Sequence, residues 1–522
     1  MLQQTALLLV VLFPFVGAGF AALMPRPAAA RVWAVLVSAL TLAVSIIVAV
    51  NVTPEAPVTW GYGAGKFLAV REIGFAFHLS CDAISMWLLL LTTLVTMLVL
   101  IAAGDRIAGD ASAKNYYAWI LVLLGALCGA FVAADGLLFY FFFEITLVPT
   151  LLLIGIWGGP ERRAAAGRFF IYTFAGSVFL LIALIYLASK AGSFEITELV
   201  RVAQTGLSSR AHYLVCLGLL IGFLIKTPVF PLHTWQPLAY SQAPTGAAVL
   251  LAAVMSKLGT YGLLRFTLPM GFVNAPMNVN VLTAVIVLCL IGVIYGGLVA
   301  WVQRDLVKVI AYSSLSHLGV CVLAILAANT LSIQGAVMYM VSHGLSTAAL
   351  LLTIGAIRDR TATQDIAELS GLFARMPVLS SLLVLFTMTS IGLPITSGFV
   401  GEFLSLQGII QTFGLGVTAV ASTGMILGAI YMLRMVARIG FGPLVMPAGS
   451  IVNDASRREL GALVPLALAV LALGIGPRPV LDSFKKDAQE LAQGSKAGKI
   501  PVGFIRDHRL SDTVAINVSR GH

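Results

Sequence analysis

Long apolar runs separated by short polar or basic linkers dominate this chain. Runs of about 18 or more apolar residues recur throughout, and each is long enough to cross a bilayer as a helix. The pattern predicts an all-α polytopic membrane protein with about fourteen transmembrane helices. The expected spans are 4–23, 32–51, 83–103, 116–134, 136–157, 168–189, 211–227, 242–267, 280–301, 308–327, 331–355, 377–406, 413–438 and 459–476. An even count puts both termini on one side. The N-terminal run "MLQQTALLLVVLFPFVGAGFAAL" has no basic stretch before it, and Arg26 and Arg31 follow it. It reads as a retained first helix rather than a signal peptide.

Two spans are interrupted. The seventh runs into "IKTPVFPLHTWQP", where Pro228 and Pro231 lack the amide hydrogens a helix needs. The twelfth holds "SIGLPITSGFVGEF", with Gly392, Pro394, Gly398 and Gly401. The breaks are five spans apart, so spans 4–8 and 9–13 read as two five-helix units. An odd number of spans per unit turns the units in opposite senses, the pattern of inverted repeats with an ion pathway at the breaks. Two unrelated proline kinks are the alternative. The expected organisation is N-terminal helices over 1–110, a first repeat over 111–270, a second over 271–440, and a last helix with a basic tail over 441–522.

Composition sharpens this picture. Of 522 residues, 59% are hydrophobic and 10% charged, against about 25% charged in soluble domains. The net charge of +10 comes from scattered Lys and Arg, without a dense basic tract. The lipid bilayer, not nucleic acid, is therefore the expected environment. Loops after odd-numbered spans carry 16 Lys and Arg, and loops after even-numbered spans carry six, among them Lys66 and Arg71. Positive charge marks the cytoplasmic side, so both termini and the basic tail are expected outside. The five cysteines form no CxxC pair and read as small buried hydrophobes. No phosphate loop, nucleophile elbow or metal-spaced set is present, so no cofactor, metal site or covalent chemistry is expected in this chain.

The candidate chemistry is ionisable residues inside spans: Glu144, Lys226, Lys257 and Glu402. Such charges face water or protein and mark ion pathways. The plainer alternative is interhelical ion pairing or lysines snorkelling to an interface. Glu144 has no basic neighbour within a helical turn, so its expected partner is Lys226, across helices. A lysine poised between apolar burial and a nearby acid changes protonation as that acid moves. Glu402 falls nearer an interface, unless the break at Pro394 carries it deeper. His233, His317 and His343 lie in or beside spans and could relay protons, or else sit in the core bonded to carbonyls. Asp305 and Lys308 read as interfacial charges.

The stretches "FFFEITLVPTLLLIGIWGG", "GFLIKTPVFPLHTWQP", "AVLLAAVMSKLGTYGLLRF", "VKVIAYSSLSHLGV", "VSHGLSTAALLL" and "GLPITSGFVGEFL" strongly resemble the antiporter-like subunits of respiratory complex I. The match runs from about residue 80 to 440 in the same order. The carboxylate at Glu402 resembles the M-type subunit, the NADH dehydrogenase subunit 4 family. The L- and N-type subunits and their Mrp-type antiporter relatives usually carry lysine there.

The resemblance implies a proton-translocating membrane-arm subunit of a bacterial-type NADH-quinone oxidoreductase in the inner membrane, with periplasmic termini. Proton transfer would use Glu144, Lys226, Lys257, His317, His343 and Glu402. NADH, flavin, Fe–S clusters and quinone would reside in other subunits, and L- and N-type subunits would be the neighbours. The alternative is a subunit of an Mrp-type cation/proton antiporter, or of a related hydrogenase or inorganic-carbon-uptake complex. One departure bears on proton entry. After Trp235 the family usually reads Leu-Pro-Asp-Ala-His, whereas this chain has "QPLAY", with Leu238 and Tyr240 in place of the acid and the histidine.

Overall fold

Helices dominate the described chain because its apolar runs are long. The computed structural model describes residues 2–53, 56–61, 69–70, 73–103, 112–274, 279–450 and 453–497. Lys66, Arg71 and Arg106, which entered the orientation count, and the tail beyond residue 497 lie outside the described residues. The helices are α1 (Leu2–Leu23), α2 (Pro27–Asn51), α3 (Ala83–Ala102), α4 (Ala113–Val132), α5 (Gly136–Trp157) and α6 (Arg162–Ala191). Next come α7 (Ile196–Thr205), α8 (Ser209–Lys226), α9 (Gln236–Gln242), α10 (Thr245–Thr267), α11 (Val279–Val302) and α12 (Leu306–Ala327). The chain continues through α13 (Thr330–Thr361), α14 (Pro377–Ser390), α15 (Ser397–Gly440), α16 (Arg457–Ile475), α17 (Arg478–Ser483) and α18 (Lys485–Ala497).

Thirteen of the described helices are long and apolar enough to cross a membrane. The chain is a multi-pass membrane protein. Helix α15 counts once among them, yet its 44 residues make about 66 Å at 1.5 Å per residue. That is about twice a bilayer core. Gly414, at φ 78°, kinks it. Its two halves make separate spans, and α14 joins the first half across the second expected break. The total of about fourteen is recovered on that reckoning.

Capping explains several helix starts. Asp82, Asp135 and Asp305 each accept backbone amides at the heads of α3, α5 and α12. Asn329 and Ser456 form capping boxes on α13 and α16. Asp305, expected as an interfacial charge, is thus a helix cap.

The ends of the bundle form two faces. On the terminal face, loops after α2, α4 and α6 are stitched together. Ala134 N donates to His78 O at 2.9 Å, Gly136 N to Phe194 O at 2.7 Å, and Ile196 N to Ala134 O at 3.1 Å. Small antiparallel pairs, Val58–Trp60 with Leu79–Cys81 and Ala69–Val70 with Phe75–Ala76, lie in the same region. His78 pairs with Glu195 at 2.9 Å beneath them. The basic face is joined by Gly159 N to Gln242 O at 2.8 Å, Ile366 N to Arg304 O at 2.7 Å, and Arg360 to Glu459 at 2.6 Å.

The apolar stretches of α10 and α13 are wholly enclosed, whereas α2, α6, α11, α15 and α16 turn much of their surface outward. Glycines let α13 and α15 approach backbone to backbone. A Cβ on Gly401 would lie 2.7 Å from Tyr339 Cα, and one on Gly335 would lie 2.4 Å from Ser405 N. Small residues serve this purpose between membrane helices. The contact brings Tyr339 against Glu402, the residue after Gly401. Gly401→Ala is expected to force the two helices apart and lower stability by about 1–3 kcal/mol. Thermal unfolding of the purified protein measures this; an unchanged midpoint would rule out a tight contact.

Candidate functional site

Lys226 ends α8, where the chain cannot continue as helix. It is 1% exposed. Its Nζ donates to Thr146 Oγ1 at 3.0 Å and lies 4.5 Å from the centre of the Phe143 ring. Both partners belong to α5, on either side of Glu144 in sequence. Glu144 itself is not within ion-pair distance of Lys226 among the described residues. The expected partnership across helices therefore acts through the field between the two groups rather than through a direct bond, and helix geometry gives the reason. At about 100° per residue, positions 143 and 146 share a face and 144 is turned away from it. Glu144 is half-buried, between Phe141 and Val148, which are 53% and 49% exposed. Its Oε1 is buried without a hydrogen-bond partner.

Lys257 is fully buried near the middle of α10. Two π turns, Leu251–Met255 and Leu263–Thr267, flank it. Such turns re-aim side chains inside a helix. Lys257 Nζ donates to Ala252 O at 2.7 Å and to Ser256 Oγ at 3.3 Å, and lies 2.8 Å from His343 Nδ1. The His343 and His317 rings are 5.9 Å apart, centre to centre.

His317 Nδ1 is hydrogen-bonded to the Tyr339 hydroxyl and lies 3.1 Å from Glu402 Oε1. Tyr339 donates to the same oxygen at 2.5 Å. Glu402 is 2% exposed, so the deeper of its two expected positions is the one observed. The second break makes room for it. Gly392, at φ 75°, lies so close that an added Cβ would come within 2.4 Å of Glu402 Oε2.

Four of the six expected residues therefore form one buried row: Lys257, His343, His317 and Glu402. Lys226 lies apart from this row, against α5, and Glu144 is half-buried beside the outward-facing Phe141 and Val148. His233 is not part of the row. Its ring packs among Phe230, Tyr295 and Tyr312, with Nδ1 buried and without a hydrogen-bond partner rather than bonded to a carbonyl.

Sequence reasoning missed Tyr339 and Thr146. Tyr339 was within reach, because it precedes His343 by four residues and shares its helix face. Thr146 gave no signal distinguishable from an ordinary helix threonine.

A cavity of about 570 Å³ opens at the basic face, with Tyr116, Gln242, Thr245, Arg304, Asp305 and Arg358 in its wall. Burial pushes the Asp305 carboxyl above its usual value. Arg358 Nη2 donates to Thr245 Oγ1 at 2.8 Å. Beneath this pair lies Tyr240, one of the two departures noted in the sequence. Its hydroxyl donates to Leu251 O, in the π turn before Lys257, at 3.4 Å. Leu238, the other departure, is partly buried against the core.

Comparison with known proteins agrees with the resemblance in the motifs. A family model described as NADH:quinone oxidoreductase/Mrp antiporter, TM, matches residues 133–428. The NADH-quinone oxidoreductase subunit M of Rhodobacter capsulatus is 38% identical over 513 residues, covering 95% of this chain and 98% of the relative. A chain of respiratory complex I from Thermus thermophilus superposes with a TM-score of 0.83 at 28% identity, covering 94% of this chain and 99% of that one. A chain of the Mrp complex from Dietzia sp. DQ12-45-1b has the same fold, with a TM-score of 0.84 at 21% identity over 94% of this chain and 98% of that one. The chain thus belongs to the NADH:quinone oxidoreductase/Mrp antiporter family, as a relative of NADH-quinone oxidoreductase subunit M.

Proposed function

We propose that this protein is the proton-translocating M-type subunit of the membrane arm of a bacterial NADH-quinone oxidoreductase, set in the inner membrane. The observation that carries this reading is the buried row of titratable groups from Lys257 to Glu402, lying between two interrupted helices. Neutral packing would fill such a core with apolar side chains, since buried charge is expensive in a membrane. The chain works as part of a translocase. Hydride and electron transfer, with NADH, flavin, Fe–S clusters and quinone, belong to other subunits.

In this reading Lys226 holds a proton under the influence of Glu144, although no direct bond joins them. Movement of Glu144 alters the charge near Lys226 and shifts its proton affinity. Lys257 passes a proton through His343 and His317 to Glu402, with one water bridging the two rings. Tyr339 ties the last two groups together. The cavity at the basic face supplies protons past Arg358 and Tyr240, so the tyrosine hydroxyl stands where relatives use histidine. The two five-helix units at 111–270 and 271–440 act as inverted repeats around their breaks.

The positive-inside rule makes the basic face cytoplasmic and the terminal face periplasmic. The outward face around Glu144, with Phe141, Val148 and the exposed apolar side chains of α6, fits a neighbouring subunit better than lipid. An L- or N-type subunit is the partner proposed there. The Mrp-type and hydrogenase-like alternative shares the fold, but Glu402 favours the M-type reading.

Lys226→Ala tests the function. The complex should assemble and co-purify with Fe–S subunits, yet translocate far fewer protons per NADH oxidised in proteoliposomes. Unchanged pumping would reduce the chain to a scaffold. Tyr339→Phe keeps the ring and removes one hydrogen bond to a carboxylate, worth about 1.5–3 kcal/mol. Pumping is expected to slow roughly ten- to a hundred-fold. A wild-type rate in the assembled variant would remove Tyr339 from the path.

A further inference from the structure

A second set of buried charges lies at the terminal face, away from the central row. Asp82 caps α3, and Arg265 projects from the last π turn of α10. Arg265 is hydrogen-bonded to Asp82 Oδ1, and its Nη2 donates to Ser85 Oγ at 3.2 Å. The third charge comes from the C-terminal end of the described chain. Phe484, Ala488, Leu491 and Ala492 are buried, at the spacing of one helical stripe. Asp487 lies on that inward stripe and is 6% exposed. An acid on the buried face of an amphipathic helix needs a partner. Here its carboxylate accepts from the backbone amide of Ala83, the first residue of α3, which brings it to the neighbourhood of Asp82 and Arg265. Trp87 Nε1, donating to Ser483 Oγ at 2.9 Å, and Gln334 Nε2, donating to Leu481 O at 3.1 Å, hold the segment in register.

Two carboxylates and one guanidinium do not balance. With both acids ionised, the cluster keeps a buried negative charge. Asp82 Oδ2 and Asp487 Oδ2 are both buried without a hydrogen-bond partner. One proton removes the residual charge and gives an acid a donor. Burial, together with the charge of Asp82, pushes the Asp487 carboxyl up to about 8, against the pull of Arg265. The other titratable or charged groups around it are Cys81 from the strand before α3, Tyr261 of α10, and Lys486 and Glu490 of its own helix.

We propose that Asp82, Arg265 and Asp487 form a proton-binding site at the terminal face, in which Asp487 takes up one proton and α18 docks while that proton is bound. The site stands independently of whether the central row carries protons. A carboxyl raised above its ordinary value stabilises the docked state at low pH, and that contribution is lost as pH rises through about 8. Docking of α18 therefore weakens on the alkaline side.

Amide hydrogen exchange of the segment 484–494, in the full chain within its membrane complex, tests this. Rates at about pH 6.5 and about pH 9 are compared after correction for the intrinsic pH dependence of exchange. The wild type is expected to lose about ten-fold in protection at the higher pH. Asp487→Asn, neutral at both, is expected to stay protected at both. Wild-type protection that does not change with pH overturns the proposal, as does exposure of the helix in Asp487→Asn at the lower pH. If that variant does not accumulate, the wild-type profile alone decides.

Discussion

Charge buried in a medium of low dielectric is the constraint on which this architecture rests. One charged side chain at the centre of a bilayer costs from about 3 kcal/mol upward, and this chain places several there. The two helices whose apolar stretches are wholly enclosed, α10 and α13, are the ones that carry Lys257 and His343. The breaks serve the same need. Lys226 ends a helix, and Glu402 sits over a glycine that leaves space for its second oxygen. Even the glycine contact between α13 and α15 is part of the solution. Without that close approach, Tyr339 would stand too far from Glu402 to donate to it.

The two halves of the chain meet the constraint differently. Glu402 is held by a tyrosine and a histidine and is shut away from the surface. Glu144 is half-buried, with one oxygen unpartnered, at the edge of an outward-facing surface. Lys226 has a hydroxyl and an aromatic face, whereas Lys257 has a carbonyl and an imidazole. A group with few fixed partners responds to whatever approaches it. In the proposed function, the first half accordingly responds to a neighbour and the second half holds the charge.

Much of this was legible in the sequence, because membrane helices write their length and their exceptions plainly. Apolar runs predicted the spans, and prolines and glycines marked both breaks. A lone acid or base inside a run singled out Lys257 and Glu402. That Glu144 and Lys226 influence each other without touching was not legible, because sequence lists residues without stating which way each side chain turns. A rotation of about 100° separates a direct partner from a neighbour. Tyr339 was passed over because a tyrosine in a membrane helix looks like packing until its hydroxyl is seen to meet an acid. The Asp82–Arg265–Asp487 cluster joins three distant parts of the chain, and no local pattern points to such a meeting. The helices α17 and α18 were hidden for a related reason. They are short and polar on one side, so hydropathy alone reads them as tail.

The nature of the residue at position 402 follows from its surroundings. Tyr339 and His317 both direct polar atoms at one point in the core. The tyrosine hydroxyl donates there, and a carboxylate accepts without displacing the histidine. A lysine has donors only and no acceptor. Placed at 402 it would offer no acceptor to Tyr339, whose proton would be left with His317 Nδ1 alone. Its longer side chain would also need the space left by Gly392, where an added Cβ would come within 2.4 Å of Glu402 Oε2. The glutamate is therefore matched to a tyrosine, a histidine and a glycine at once. That match ties the M-type reading to the packing of this core as well as to sequence likeness.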